Sequence, residues 1–92
     1  MPLKSIHAFY SGYVQGVGFR YTVRRIALGM DISGWVRNLP DGKVEALCEG
    51  EEQSLKDFID RVSGEFPSSR VENTQISRGD ATGKFNGFEI RF

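Results

Sequence analysis

The stretch GYVQGVGFR, from Gly12 to Arg20, combines residue types that could bind an anion. Gly16 and Gly18 make the backbone flexible, and apolar residues recur at helical spacing from Phe19 onwards, which predicts a helix. Ser, Thr, Asp and Asn, the usual N-cap residues, are absent just before it, so its first backbone N–H groups lack side-chain partners. Arg20 places a cation where the helix dipole disfavours one.

These features favour a site for phosphate or carboxylate. Successive N–H groups can form a concave nest, the helix N-terminus adds partial positive charge, and a guanidinium offers a planar fork to two oxygens. Repulsion between Arg20 and its own helix end costs roughly 0.3–1 kcal/mol, and a bound phosphate would reverse its sign. From the residues alone two interpretations stay open: an anion site, or a glycine-rich turn whose arginine pairs with a surface carboxylate. The stretch fits neither GxxxxGK[ST] nor GxGxxG.

The elements that must position this stretch follow from hydrophobic periodicity and turn residues. In chain order they are a strand (3–14), a helix from Phe19, strands 32–38 and 43–49, a helix (51–63), a weaker strand (69–77) and a last strand (88–92). Gly29 is expected to take the left-handed position at the end of the first helix. Gly64 and Pro67 are expected to end the second helix, and Gly79 to lie in a loop.

Turn residues between the second and third strands predict an antiparallel hairpin, because LPDG (39–42) favours a tight turn. The resulting order is β-α-β-β-α-β, with a strand and a short terminal strand sharing the last position. A split βαβ of this kind predicts an α+β ferredoxin-like sandwich, an antiparallel sheet with two helices on one face. With the usual strand order, the glycine-rich loop would lie beside the end of the hairpin's first strand.

Length and composition limit the number of domains and the classes of partner that this protein can have. The 92 residues predict a single domain, 1–92, with one modest core. Twelve basic residues balance twelve acidic ones, so no global field attracts nucleic acid or an anionic membrane. The single cysteine excludes an internal disulfide, and no Cys/His cluster indicates a metal site. Without an apolar run typical of a signal peptide or membrane span, we expect a cytoplasmic protein. We also expect a monomer that needs no cofactor.

Two motifs carry a resemblance to a known family. GYVQGVGFR matches the acylphosphatase signature G-x-V-Q-G-V-x-F-R at each specified position, and GWVRNLPDGKVEALCEG (34–50) matches the second signature of that family. Together with the βαββαβ order, the resemblance covers essentially the whole chain. It implies hydrolysis of the carboxyl-phosphate bond of small acyl phosphates to a carboxylate and inorganic phosphate, without metal.

The resemblance also implies roles for individual residues. Backbone N–H groups and one guanidinium would hold the phosphoryl oxygens, and these belong to Gln15, Gly16, Val17, Gly18, Phe19 and Arg20. Asn38 would orient the attacking water. An amide has no proton to exchange near neutral pH, so Asn38 is not expected to act as a general base.

Two other functions are alternatives to this enzyme. The same cradle could belong to a non-catalytic module that holds phosphate or carbamoyl phosphate, since acylphosphatase-like domains occur within larger proteins that handle carbamoyl phosphate. A ferredoxin-like RNA binder would need exposed aromatic pairs and a basic surface, which the neutral charge does not favour. His7 is interpreted as a partly exposed strand residue and Cys48 as a small buried apolar group. Tyr13 is interpreted as a core or rim packing residue, with the edge of the substrate pocket as the alternative.

Overall fold

The computed structural model describes residues 3–66 and 71–92, which form five strands and two helices. In chain order these are β1 (Leu3–Gly12), α1 (Phe19–Leu28), β2 (Ser33–Asn38), β3 (Val44–Glu51), α2 (Glu52–Glu65), β4 (Val71–Asp80) and β5 (Phe88–Arg91). The strands make one sheet in the order β4-β1-β3-β2-β5. The predicted α+β ferredoxin-like fold is confirmed.

The sheet is mixed because of its last strand. β1 pairs antiparallel with β3 and β4, and β2 pairs antiparallel with β3, as expected from the hairpin. β5 instead pairs parallel with β2, so the expectation of a wholly antiparallel sheet was wrong at this edge. β4 ends at the end of the sheet where β2 begins. The short connection 81–87 leads the chain across at that end, and β5 therefore runs in the direction of β2.

The core lies between one face of the sheet and the two helices. Alternate residues of the central strands are buried, as the strand period requires, and each helix buries one stripe. The members of the core cluster include Ile6, Ala8 and Tyr10 of β1, Val44, Ala46 and Cys48 of β3, Phe19, Val23, Ile26 and Ala27 of α1, and Leu55, Phe58 and Val62 of α2. The helical face predicted for α1 is confirmed, with Met30 packed against the core just beyond the helix.

The end of α1 differs from the prediction. Gly29 has a right-handed conformation (φ −73°, ψ −8°), and the left-handed residue is Asp31 (φ 53°). The chain continues for two residues before it reverses, and Ile32 N then donates to Ala27 O at 3.0 Å. Burial of Ile32 in the core determines where the reversal occurs, and this long-range contact outweighs the local preference for glycine.

Two other glycines lie inside elements that they were expected to interrupt. α2 continues through Gly64 to Glu65, because an exposed helical glycine costs only about 0.5–1 kcal/mol and the buried Val62 holds this turn to the core. Gly79 lies in β4 and pairs with Ser5, so the strand is longer than predicted. Pro67 and the predicted strand start at 69–70 lie outside the described residues.

Candidate active site

The glycine-rich loop lies between two buried anchors. Val14 and Phe19 are each 1% exposed, whereas Gly16, Val17 and Gly18 between them are exposed. The Phe19 ring packs edge-on against the Tyr10 ring, with 5.0 Å between centroids, so the first residue of α1 is held in the core. The loop is therefore fixed at both ends while its middle faces solvent.

Backbone geometry within the loop turns its N–H groups away from internal partners. Gly16 (φ 75°) and Gly18 (φ 79°) are both left-handed, a conformation that favours glycine. Gly18 is the N-cap of α1 and makes no side-chain cap, and the first turn contains no acidic residue. The first bond of the helix runs from Thr22 N to Gly18 O at 3.1 Å.

The N–H groups before that bond are available to a ligand. Within residues 3–66 and 71–92, none of the backbone N–H groups from 15 to 20 donates to a protein acceptor. Left-handed and right-handed residues in succession bring neighbouring N–H groups into one concave surface, and the helix dipole adds partial positive charge there. The geometry and charge of such a surface suit a tetrahedral oxyanion.

Arg20 contributes a full positive charge at the same helix end. Its side chain is half-buried, and no carboxylate in the described part of the chain forms an ion pair with it. The guanidinium carbon lies 5.0 Å from the centroid of the Phe92 ring, and that ring is almost fully exposed. A ring face leaves the in-plane N–H fork available to oxygen acceptors. The alternative of an ion pair with a surface carboxylate is thus not seen in the described residues.

Asn38 lies on another element. It is the last residue of β2, and β1 and β2 both run antiparallel to β3 between them, so the ends of the strands that carry the loop and Asn38 lie at the same end of the sheet. The Gln15 side chain joins the two: its Nε2 donates to Leu39 O at 2.8 Å and to Lys43 O at 2.9 Å. The sequence did not predict this contact. The available signal was a glutamine beside the apolar Val14, because a polar amide that becomes partly buried needs hydrogen-bond partners.

One polar atom of Asn38 has no partner. Its Oδ1 is buried, and no donor in the described part of the chain contacts it. A buried acceptor without a hydrogen bond costs about 1–3 kcal/mol and is uncommon in folded proteins. The residue as a whole is half-buried at the end of β2, and part of the hydrogen-bonding capacity of its amide is unused.

His7 and Cys48, which the sequence also singled out, lie on strands away from the loop, whereas Tyr13 lies at its start. His7 is in the middle of β1, where its Nε2 lies 2.6 Å from Glu45 Oε2, and it is partly exposed as interpreted. Cys48 is fully buried in the core, as interpreted, and burial raises the pKa of its thiol. Tyr13 is 73% exposed at the start of the loop.

Two buried carboxylates on β3 stabilise the face of the sheet that the helices leave open. Burial raises the pKa of Glu45, but hydrogen bonds with His7 and Arg37 more than offset this and hold the pKa below its ordinary value. Burial likewise raises the pKa of Glu49. Hydrogen bonds from the Thr82 N–H, the Thr82 hydroxyl and the Gly83 N–H lower this pKa by more than burial raises it, so the net shift is downward. Both groups are therefore ionised at neutral pH.

Comparisons with known proteins show the family to which the chain belongs. A family model described as Acylphosphatase matches residues 6–90. The chain belongs to the acylphosphatase family. An acylphosphatase from Rubrobacter xylanophilus is 42% identical over 88 residues, which cover 96% of this chain and 80% of that protein.

Solved structures extend the comparison. The crystal structure of the acylphosphatase from Bacillus subtilis superposes with a TM-score of 0.89 at 35% identity, covering 97% of this chain and 99% of that one. A full-length HypF in a phosphate- and nucleotide-bound form matches with a TM-score of 0.86 at 26% identity, but the match covers only 12% of that chain. Among the residues that the structure describes, no helix is long and apolar enough to cross a membrane.

Proposed function

We propose that this chain hydrolyses the carboxyl-phosphate bond of small acyl phosphates, giving a carboxylate and inorganic phosphate. The observation that carries the proposal is that the glycine-rich loop and the end of β2 lie at the same end of the sheet. The loop presents unpaired N–H groups beside Arg20, and the Gln15 bonds to the hairpin place the end of β2, with Asn38, next to that loop.

In this proposal the N–H groups of Gln15, Gly16, Val17, Gly18 and Phe19 and the Arg20 guanidinium bind the phosphoryl oxygens. Phosphoryl transfer needs mainly positioning and stabilisation of charge on the equatorial oxygens, which these donors supply. The leaving carboxylate is a weak base, so its departure requires no general acid.

Asn38 orients the attacking water. The water oxygen forms a bond to phosphorus as the bond from phosphorus to the acyl oxygen breaks, and the carboxylate leaves with that electron pair. The proton of the water passes to a phosphate oxygen, so the products are the carboxylate and inorganic phosphate. An amide carries both an acceptor oxygen and N–H donors, which is the chemistry needed to orient a water by hydrogen bonding.

The test measures hydrolysis of benzoyl phosphate by the purified protein, with EDTA present and with inorganic phosphate as competitor. Arg20→Gln should abolish phosphate binding and lower the rate by about 10²–10⁵, the usual range for removing a charged donor from a transferring phosphoryl group. Arg25→Gln is the matched control, because Arg25 lies in the same helix and pairs with Glu65 at the surface.

Asn38→Ala should lower the rate and spare the binding of inorganic phosphate, because phosphate needs no oriented water. Near-normal rates for both Arg20→Gln and Asn38→Ala would refute the assigned roles. A second candidate is a phosphate-binding module without catalysis, since a similar fold forms 12% of the longer HypF chain, whose structure is a phosphate- and nucleotide-bound form. Binding of phosphate by the wild-type chain without turnover of benzoyl phosphate would support that module and refute the enzyme.

A further inference from the structure

The Gln15 side chain makes a pair of hydrogen bonds that joins the glycine-rich loop to another part of the chain. Its Nε2 donates to the carbonyls of Leu39 (2.8 Å) and Lys43 (2.9 Å), so both N–H groups of the amide are used. Both acceptors belong to the connection between β2 and β3. The contact is partly buried, where a neutral hydrogen bond competes less with water than at the surface.

The two acceptors are already held in place by the hairpin. Leu39 N donates to Lys43 O at 2.8 Å, and Gly42 N donates to Leu39 O at 3.2 Å. Each carbonyl thus accepts one bond from the turn and one from Gln15. A rigid pair of acceptors defines the position of the glutamine amide, and with it the position of the loop that begins at Gln15.

Leu39 directly follows Asn38, so the bond from Gln15 to Leu39 O lies one peptide unit from the Asn38 backbone. We infer that Gln15 is a positioning residue, whose side chain sets the distance between the loop N–H groups and the Asn38 amide. The inference rests on the proposed function, in which the loop holds the phosphorus and Asn38 holds the water. In-line attack requires both to be aligned, and a displacement of about 1 Å can cost about 10²-fold in rate.

The first test replaces the donors and keeps the length. Gln15→Met should lower kcat on benzoyl phosphate by about 10- to 100-fold, because water and phosphorus lose their alignment. The inhibition constant of inorganic phosphate should stay close to wild type, because the loop N–H groups and Arg20 remain. Gln53→Met is the matched control, since Gln53 makes a similar amide bond to Asp57 on the exposed face of α2.

A purely structural link would give a different result. It would lower the free energy of unfolding, because two hydrogen bonds are lost, and leave kcat unchanged in the folded protein. Gln15→Asn, which keeps the amide but shortens its reach, provides a polar variant if Gln15→Met does not fold, and should show the same fall in kcat. Normal kcat in the folded variant would overturn the inference.

The second test asks whether Gln15 acts through Asn38. The double variant Gln15→Met/Asn38→Ala should have the kcat of Asn38→Ala alone, because a misplaced water site has no further effect once the site is removed. Losses that multiply in the double variant would overturn the inference. Failure of the proposed function gives a separate result, since the wild-type chain would then not hydrolyse benzoyl phosphate at all.

Discussion

Gly18 offers the most direct test of the loop geometry, because its backbone conformation and its surroundings can be separated. It has φ 79° and ψ 14°, and a Cβ built there would meet nothing within 4 Å. Gly18→Ala therefore introduces no clash and adds only the cost of a left-handed alanine, about 1–2 kcal/mol. Since Gly18 is the N-cap of α1, this cost falls where the proposed anion site begins.

The cost can appear in two measurements. If the loop keeps its conformation in the free protein, Gly18→Ala lowers the free energy of unfolding. If the free loop relaxes, phosphate must restore it and binds about 5- to 30-fold more weakly, the equivalent of about 1–2 kcal/mol. The sum of the two losses should be about 1–2 kcal/mol, because both refer to the phosphate-bound fold.

The assay is urea unfolding with and without inorganic phosphate, together with direct titration of phosphate. Gly18→Asn should lose less, because asparagine tolerates the left-handed region better than alanine does. Gly64→Ala is the control of opposite sign: it lies inside α2 with open space around its Cβ position, and should stabilise the fold by about 0.5–1 kcal/mol. Unfolding and phosphate binding both unchanged in Gly18→Ala would refute the left-handed loop and the cradle built on it.

Three further predictions concern the frame around the site. Gly34→Ala should lower the free energy of unfolding by at least about 2 kcal/mol in urea, because Gly34 has φ 138° and an added Cβ would clash with Leu47 O; an unchanged midpoint would contradict the close approach of β2 and β3. Acid should destabilise the fold through Glu49, since its pKa is lower folded than unfolded: its stabilisation is complete above the unfolded value of 4.5 and is lost as pH falls through the folded value. In Glu49→Gln the free energy of unfolding should therefore depend less steeply on pH below pH 4.5. An unaltered slope would count against the hydrogen bonds from Thr82 and Gly83. Phe58→Ala should cost about 3–5 kcal/mol by thermal or urea unfolding, because the ring is fully buried, and a loss near zero would contradict its place in the core.

Local patterns in the sequence determined the parts of this protein that depend on neighbouring residues. Hydrophobic periodicity predicted both helices and their buried faces, and LPDG predicted the hairpin, because side-chain spacing and turn residues act within a few positions of the chain. The uncapped helix start at Gly18 was also predicted from residue types alone. These features follow from backbone geometry, which the neighbouring residues largely decide.

Tertiary contacts decided the rest. The parallel pairing of β5, the passage of α2 through Gly64 and the reversal at Asp31 all depend on segments distant in sequence, and their packing outweighs local preferences of about 1 kcal/mol. The link from Gln15 to Leu39 and Lys43 is of the same kind. The motif identifies the residues of the proposed site. Only the order of strands brings the loop and Asn38 to the same end of the sheet, and the hydrogen bonds that join β1 to β3 and β3 to β2 determine that order.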